Sequence, residues 1–430
     1  MFDLIRNRLA NKSVLILGYG REGRSTLAFM EKYMPETVVA VADRNEDALE
    51  PVRQKGITAI AGERYLDAIN QYDVVVKTPG ISLKDFVVAD GVEVTSQTDL
   101  FLSEYHGQTI GVTGTKGKST TTSMIYHLLK ESGHDAILTG NIGIPCFDIM
   151  EQIHDDSIVV YELSAHQLEY VHNSPRVGVL LNVFEEHLDH FGSFERYKYA
   201  KFNVMRFMGA DDYAVVNDSL MMDVLEMDVN SVMFPLMEFD IDESALPVLG
   251  HHNLMNVKAA LCACSAYGVD AAELIPHLYT FKPLEHRLER VGCFGGVTFV
   301  NDSISTIPQA TIAACETLGR VDFLLLGGFD RDIDYGPLAD YLATHPVPHL
   351  LFTGKAGERM MRLIKGRGVV ADFVTYDSME DAFDYLSHQA TSGDVCLLSP
   401  AASSYDQYKN FEQRGSKFKM LAQKYLSFSC

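Results

Sequence analysis

For its size this chain is short of positive charge: 36 Lys and Arg stand against 58 Asp and Glu, a formal net charge of −22. That balance argues against nonspecific binding to nucleic acid or to an anionic membrane surface, both of which draw on surplus Lys and Arg. It leaves room for a local basic pocket around an anionic substrate. Long apolar runs are missing too. No stretch approaches the ~18 apolar residues of a membrane span. The run at 14–17, after Arg6, Arg8 and Lys12, is far too short for a signal peptide. Cysteine is sparse: seven are scattered along the chain, only Cys262 and Cys264 lie close, and no Cys-x-x-Cys pair occurs. A disulfide framework is excluded, and reduced thiols in a cytoplasmic protein are expected. Low-complexity segments and fixed-period repeats are absent. What is there is an ordinary globular composition, 47% hydrophobic and 22% charged over 430 residues, enough for two to four domains.

The most informative stretch is Gly-Val-Thr-Gly-Thr-Lys-Gly-Lys-Ser-Thr-Thr at 111–121. A strand-like run at 108–112 leads into it. A helix is expected over 120–131, with Met124, Ile125, Leu128 and Leu129 on one face. Strand, glycine loop, lysine, hydroxyl residue and helix form a phosphate cradle. Glycines let backbone N–H groups approach phosphate closely, and the helix N-terminus adds about half a positive charge. Lys118 can reach the terminal phosphates, and Ser119 can offer a hydroxyl to Mg²⁺. Five residues separate Gly111 from Gly117, one more than the common pattern has.

Upstream, an apolar run at 13–18 opens Gly18-Tyr19-Gly20-x-x-Gly23, a helix over 25–32, a strand at 37–42 and then Asp43. This is the dinucleotide fingerprint, with its acid 20 residues on. Two readings stay open: a dinucleotide cofactor, as in an NAD-dependent oxidoreductase, or a nucleotide-like anion at the helix start. A strand at 73–77 ends at Thr78, Pro79, Gly80 and Ile81, at the carboxyl end where open parallel sheets bind ligands.

Downstream, an apolar strand at 157–161 delivers Glu162. An acid there is a Mg²⁺ ligand or water-holding group beside a phosphate loop, or a surface acid at a strand end. Ser164 and His166 lack the glycine pattern of a nucleophile elbow. A strand over 177–183 runs into Glu185, Glu186, His187, Asp189 and His190. These could hold a divalent cation, Mg²⁺ rather than zinc, or form a solvated charged turn. Lys198 and Lys201 read as surface lysines. Around 250–256, His252 and Asn253 either cap a helix expected over 257–267, or Asn253 and Asn256 face a nucleotide one turn apart. Strands at 297–300, 322–326, 349–353 and 394–398 then alternate with helices, each ending in small or polar residues. The expected fold class is α/β in three domains: Rossmann-like over 1–107, a P-loop ATPase centre over 108–284, and Rossmann-like again over 285–430.

Taken together, these segments resemble the Mur ligases over nearly the whole chain and in the family's order. The tail from Leu398 through Asp406 to Gly415 points to the D-glutamate-adding branch. The resemblance implies an ATP-dependent acid–amino-acid ligase of peptidoglycan precursor synthesis, a monomer in the cytoplasm, with no nucleic acid or membrane partner. Its substrates would be UDP-N-acetylmuramoyl-L-alanine and glutamate, with ATP and two Mg²⁺ ions. It assigns ATP to Gly114, Thr115, Lys116, Gly117, Lys118, Ser119, Thr120, Asn253, Asn256, Arg287 and Asp302. It assigns the UDP substrate to Gly18, Tyr19, Gly20, Asp43, Arg44, Thr78, Pro79, Gly80, Asn141, Ser164 and Gln167. Lys118, Glu162, His187 and Lys201 would be catalytic. Ser119, Glu162, His187 and a carbamylated Lys201 would serve metal, which replaces the surface reading of Lys201. Thr306, Arg331, Ser404 and Phe411 would form the amino-acid pocket. There are departures: Ile304 stands where the branch carries lysine, Arg331 stands at a second lysine position, and Glu186 replaces an Asp. Arg binds carboxylate bidentately and is not equivalent to Lys, so ligation of L-glutamate is an alternative. A folylpolyglutamate synthase and a non-catalytic nucleotide-binding protein of the same fold are others.

Overall fold

The computed structural model describes residues 2–248 and 250–425. The chain folds as two compact units: the first reaches Pro247 and resumes from His252 to Phe281, and the second starts at Lys282, with a short segment before His252 also counted to it.

The first unit holds two parallel sheets. One is built from β1 (Ser13–Leu17), β2 (Val38–Asp43), β3 (Thr58–Ala61), β4 (Val74–Lys77) and β5 (Glu93–Thr95), in the order β3-β2-β1-β4-β5. The other uses β6 (Thr109–Thr113), β7 (Ala136–Gly140), β8 (Ile158–Glu162), β9 (Val177–Leu180), β10 (Tyr213–Val216) and β11 (Asn230–Met233), in the order β11-β10-β9-β6-β8-β7. β1 and β4 are nearly continuous Val, Ile and Leu because both faces of a parallel sheet are covered. β1 and β4 are almost wholly buried. The strand order reverses beside β1 in one sheet and beside β6 in the other, and crevices for ligands open at the carboxyl ends of such strands. The dinucleotide-like glycines follow β1, and the phosphate loop follows β6. Val14 and Ile16 of the first sheet share a core with Val159 and Tyr161 of the second.

The second unit holds one sheet of β12 (Glu289–Phe294), β13 (Val297–Asn301), β14 (Phe323–Gly327), β15 (His349–Thr353), β16 (Asp372–Thr375) and β17 (Val395–Leu398), ordered β12-β13-β17-β14-β15-β16. Only the β12–β13 pair is antiparallel. β14 shows the two-residue period: Leu324 and Leu326 enter the core on one face, Phe323 and Leu325 the core on the other. Each such side chain stabilises by roughly 1.5–3 kcal/mol.

Several helices start earlier than expected, at Arg21, Lys118 and His251. The third change bears on the capping reading: His252 and Asn253 lie inside the first turn of the helix His251–Tyr267 and do not precede it. The strands that the apolar pattern does not mark include β3, β11, β12 and β16. All are at sheet edges and only partly buried, so they lack the long β-branched runs of two-sided burial. No helix among the described residues is long and apolar enough to cross a membrane.

Candidate functional site

A cleft of about 460 Å³ opens at the carboxyl ends of β1, β2 and β4. Its walls include Gly18, Gly20, Asp43, Thr78, Pro79, Gly80, Ile81, Asn141, Ser164 and Gln167. Ten residues singled out from widely separated motifs thus face one space. Gly18 is required by close approach: it has φ +97°, and a Cβ there would stand 2.0 Å from Thr78 Oγ1. Tyr19 N donates to Asp43 Oδ2 at 2.6 Å, which fixes the acid beside the glycine turn. Tyr19 and Arg44 are not among the lining residues. Arg44 is exposed and its guanidinium is taken by Glu63, at 2.9 Å and 3.1 Å from Nη2.

Sequence reasoning missed Arg21, Glu22, Gly140 and Pro145 on the same walls. Arg21 and Glu22 occupy the x positions of the glycine pattern, which could have flagged them. Arg21 Nη1 donates to Gly143 O across the cleft at 2.8 Å.

The second crevice lies at the end of β6. Val112 is paired with Glu162 of β8, and Thr113 with Leu180 of β9. The loop leaves β6 and enters the helix Lys118–Glu131 through Gly117, at φ +87°. A Cβ on Gly117 would sit 2.5 Å from Asn256 Oδ1, so Asn256 lies directly against the loop. Asn256 in turn donates to Asn253 Oδ1 at 3.0 Å, one turn earlier on its helix. Asn182 shapes the other side: its backbone O accepts from Thr115 N at 2.9 Å and its Oδ1 from Lys116 N at 2.8 Å.

Lys118 Nζ donates to Gly114 O and Thr115 O, at 2.8 and 2.9 Å. Lys201 Nζ reaches the same Gly114 O at 2.7 Å. Lys201 is not a surface lysine: it is 1% exposed. Burial first, then the neighbouring Lys118, push it well below the usual lysine range. A neutral amine at that place is the form that can be carbamylated.

Glu162 is fully buried. Asn141 Nδ2 donates to its Oε1 at 2.9 Å, while its Oε2 is buried without a hydrogen-bond partner. An orphaned carboxylate oxygen beside a phosphate loop is costly unless a cation or donor completes it. His187 has φ +57° and packs its ring against His166 and Tyr197, with centroids at 4.8 and 5.9 Å. Burial lowers its pKa, so a neutral, ligating imidazole is favoured. The five charged residues at 185–190 do not converge. Glu186 pairs with Lys116 at 2.6 Å and His190 with Glu169 at 3.0 Å. Among the described residues no group of three or more His, Cys, Asp or Glu is disposed to hold a metal ion. The donors that the family resemblance assigns to a hard cation are of mixed type: the orphaned Glu162 oxygen, the Ser119 hydroxyl at the helix start, the His187 imidazole and Lys201 if it becomes an anion. An ion pair the sequence did not reveal joins buried Lys77, at the end of β4, and Glu169, 3.1 Å apart.

In the second unit, Asp302 Oδ1 accepts from Leu288 N at 3.2 Å and Oδ2 from Ser399 Oγ at 2.7 Å, and burial pushes its carboxyl up to about 6. Arg287 Nε is buried without a partner. Arg331 Nη2 donates to Thr306 O at 2.8 Å, bringing two of the four amino-acid-pocket candidates together. Phe411 opens the helix Phe411–Lys424, and its carbonyl accepts from Ser303 Oγ at 2.8 Å. Ser404 is buried, and its carbonyl accepts from Tyr408 N at 2.9 Å. Ile304, half-buried, donates its N–H to His286 O at 3.1 Å.

Comparison with known proteins agrees with this division. Residues 112–245 match the family described as Mur ligase middle domain, and residues 286–402 match Mur ligase, glutamate ligase domain. The UDP-N-acetylmuramoylalanine–D-glutamate ligase of Acetivibrio thermocellus is 32% identical, covering 96% of this chain and 97% of that protein. The protein of that name from Clostridium botulinum is 29% identical over 97% of this chain and 98% of its own length. Among solved structures, MurF from Thermotoga maritima in complex with ADP superposes with a TM-score of 0.60 at 19% identity, covering 99% of this chain and all 100% of that one. UDP-N-acetylmuramate–alanine ligase MurC from the same organism has a TM-score of 0.57 at 19% identity, covering 96% and 100%.

Proposed function

The chain belongs to the Mur ligase family, whose members are ATP-dependent ligases, and from that premise we propose that it joins D-glutamate to UDP-N-acetylmuramoyl-L-alanine through an acyl-phosphate. The observation that carries this reading is Asn141. It lines the nucleotide cleft and donates to Glu162, which pairs with the strand that enters the phosphate loop. A substrate laid along the cleft would present its far end to the γ-phosphate of ATP on that loop. The proposed segments 1–107, 108–284 and 285–430 hold one sheet each, and a cytoplasmic monomer is proposed.

The substrate's terminal carboxylate attacks the γ-phosphorus in line and ADP leaves. The amine of glutamate then attacks the acyl carbon, and phosphate leaves. Lys118 and the N–H groups at the start of its helix hold the phosphates and spread their charge. Asn253 and Asn256, one turn apart beside the loop, bind the nucleotide. Ser119, Glu162, His187 and carbamylated Lys201 would hold Mg²⁺. Two Mg²⁺ ions, when bound, supply positive charge against the phosphate oxygens. The neutral Lys201 amine adds to CO₂ and loses a proton, leaving a carbamate anion where an ammonium would repel Lys118. For Arg287 and Asp302 the ATP role, and for Thr306, Arg331, Ser404 and Phe411 the glutamate role, rest on the family resemblance.

Ile304 and Arg331 favour a second reading, in which the amino acid is L-glutamate. The test is phosphate release from ATP and Mg²⁺ with UDP-N-acetylmuramoyl-L-alanine and either enantiomer. Turnover with D-glutamate alone supports the first reading, and with L-glutamate alone the second. No turnover with either, despite tight ATP binding, would favour a non-catalytic nucleotide-binding protein.

A further inference from the structure

The first turn of the helix Arg21–Tyr33 walls the cleft, and its second residue is an acid that nothing above employs. Glu22 lines the cleft. Its Oε1 accepts from Gln167 Nε2 at 2.7 Å, and its Oε2 is shut off from solvent with no hydrogen-bond partner. The groups facing it are Gln167 from the helix Ala165–Leu168, Lys77 from β4, Arg21 from its own helix, and Cys146 and Tyr161, both neutral, from the turn Cys146–Gln152 and β8, while Gln97 of the helix Gln97–Tyr105 donates to the Glu22 backbone O at 3.2 Å. Neither cation is committed to it. Lys77 Nζ pairs with Glu169, and Arg21 Nη1 donates to Gly143 O. A helix start and a glycine turn favour an anion in this space, yet a carboxyl with an unsatisfied oxygen stands at its wall.

We propose that Glu22 takes up a proton as the diphosphate of a UDP-sugar enters the cleft, so that binding of the nucleotide and protonation of this carboxyl are linked. This rests on the reading of the cleft as the UDP-substrate site. Burial already pushes the carboxyl up to about 7, against the pull of Gln167, Lys77 and Arg21. A second negative charge in the same low-dielectric space raises it further. The bound form then holds more protons than the free form. Affinity therefore weakens as the pH rises above about 7, by up to tenfold per pH unit, and levels off above the bound group's own value.

The experiment is isothermal titration of the intact protein with UDP-N-acetylmuramoyl-L-alanine, whose own charge is constant between about pH 6 and 8. It is run in two buffers of different ionisation enthalpy, for the wild type and for Glu22→Gln. At about pH 7.5 the wild type is expected to take up as much as three-quarters of a proton, and the variant none. Below about pH 6 the two proteins should bind alike, and above 7 the variant should bind more tightly, because its neutral amide needs no proton. Binding without proton uptake would overturn the proposal alone. Uptake that survives in Glu22→Gln would overturn it too. Absence of binding in both proteins would overturn it together with the substrate reading of the cleft.

Discussion

Glu169→Gln should destabilise the first unit by about 3 kcal/mol, because it strands a buried ammonium. The Lys77 side chain is 1% exposed and that of Glu169 17%. Glu169 Oε2 serves two cations or donors at once, Lys77 Nζ at 3.1 Å and His190 Nε2 at 3.0 Å. Two unit charges at 3.1 Å attract by about 5 kcal/mol at an effective dielectric of 20. That attraction offsets only part of the desolvation of Lys77, which still holds its pKa below the usual lysine range. With the charge of Glu169 gone, Lys77 keeps Thr78 O at 3.3 Å and the Tyr170 ring at 5.2 Å, both weaker partners. The assay is urea denaturation of Glu169→Gln, Lys77→Met and the double variant. Each single change should lower stability by about 3 kcal/mol, and the double by clearly less than their sum, with a coupling of about 2 kcal/mol. Although burial opposes it, the His190 hydrogen bond and Lys77 hold Glu169 below the usual carboxylate range. Its contribution is therefore present above about pH 4.5 and lost as the pH falls through the folded value. A loss under about 1 kcal/mol in Glu169→Gln, or strict additivity in the cycle, would refute the argument that this pair is a compensated buried charge.

Lys118→Ala should abolish phosphate release while leaving the circular dichroism spectrum unchanged; retained turnover would remove the phosphate-loop assignment. Lys201→Arg keeps a permanent cation beside Lys118 that cannot be carbamylated, so activity should fall by about a hundredfold or more, and a ¹³CO₂-labelled carbamate resonance present in the wild type should vanish. Arg331→Ala should raise the KM for glutamate roughly ten- to a hundredfold, the equivalent of a charged hydrogen bond of about 1.5–3 kcal/mol, with little change in the KM for ATP. Asp99, buried among Arg8, His172 and Asn173, is held well below the usual carboxylate range by the His172 hydrogen bond and Arg8 despite its burial. Asp99→Asn should thus cost stability at neutral pH, and the gap from the wild type should close as the pH falls below about 4, read by acid titration of the folded signal.

Much of the site is legible in one dimension because its chemistry is local. A glycine loop between a strand and a helix places Lys118 and Ser119 by sequence neighbourhood alone, and the structure needs only to start the helix two residues earlier than 120. The glycine pattern at 18–23, the Thr78–Ile81 loop and Glu162 are each marked by the apolar strand before them, since a parallel sheet buried on both faces writes itself as a continuous run. The edge strands β3, β11, β12 and β16 leave no such mark, because partial burial does not demand one.

The α/β class, the order of motifs, the glycine loop leading into the helix at Lys118 and the family were determined by the amino-acid sequence. Tertiary structure decided what cannot be read from neighbours along the chain. It drew Gly18, Thr78, Asn141 and Gln167 around one cleft from four separate segments of the chain. It turned Lys201 from a lysine on an ordinary amphipathic helix into a buried amine sharing Gly114 O with Lys118. It also set Glu22 into the wall of the cleft beside Gln167 and paired buried Lys77 with Glu169. The physical reason is the same in each case. A charge's state depends on the dielectric and the partners around it, and those are supplied by segments that meet only when the sheets are packed.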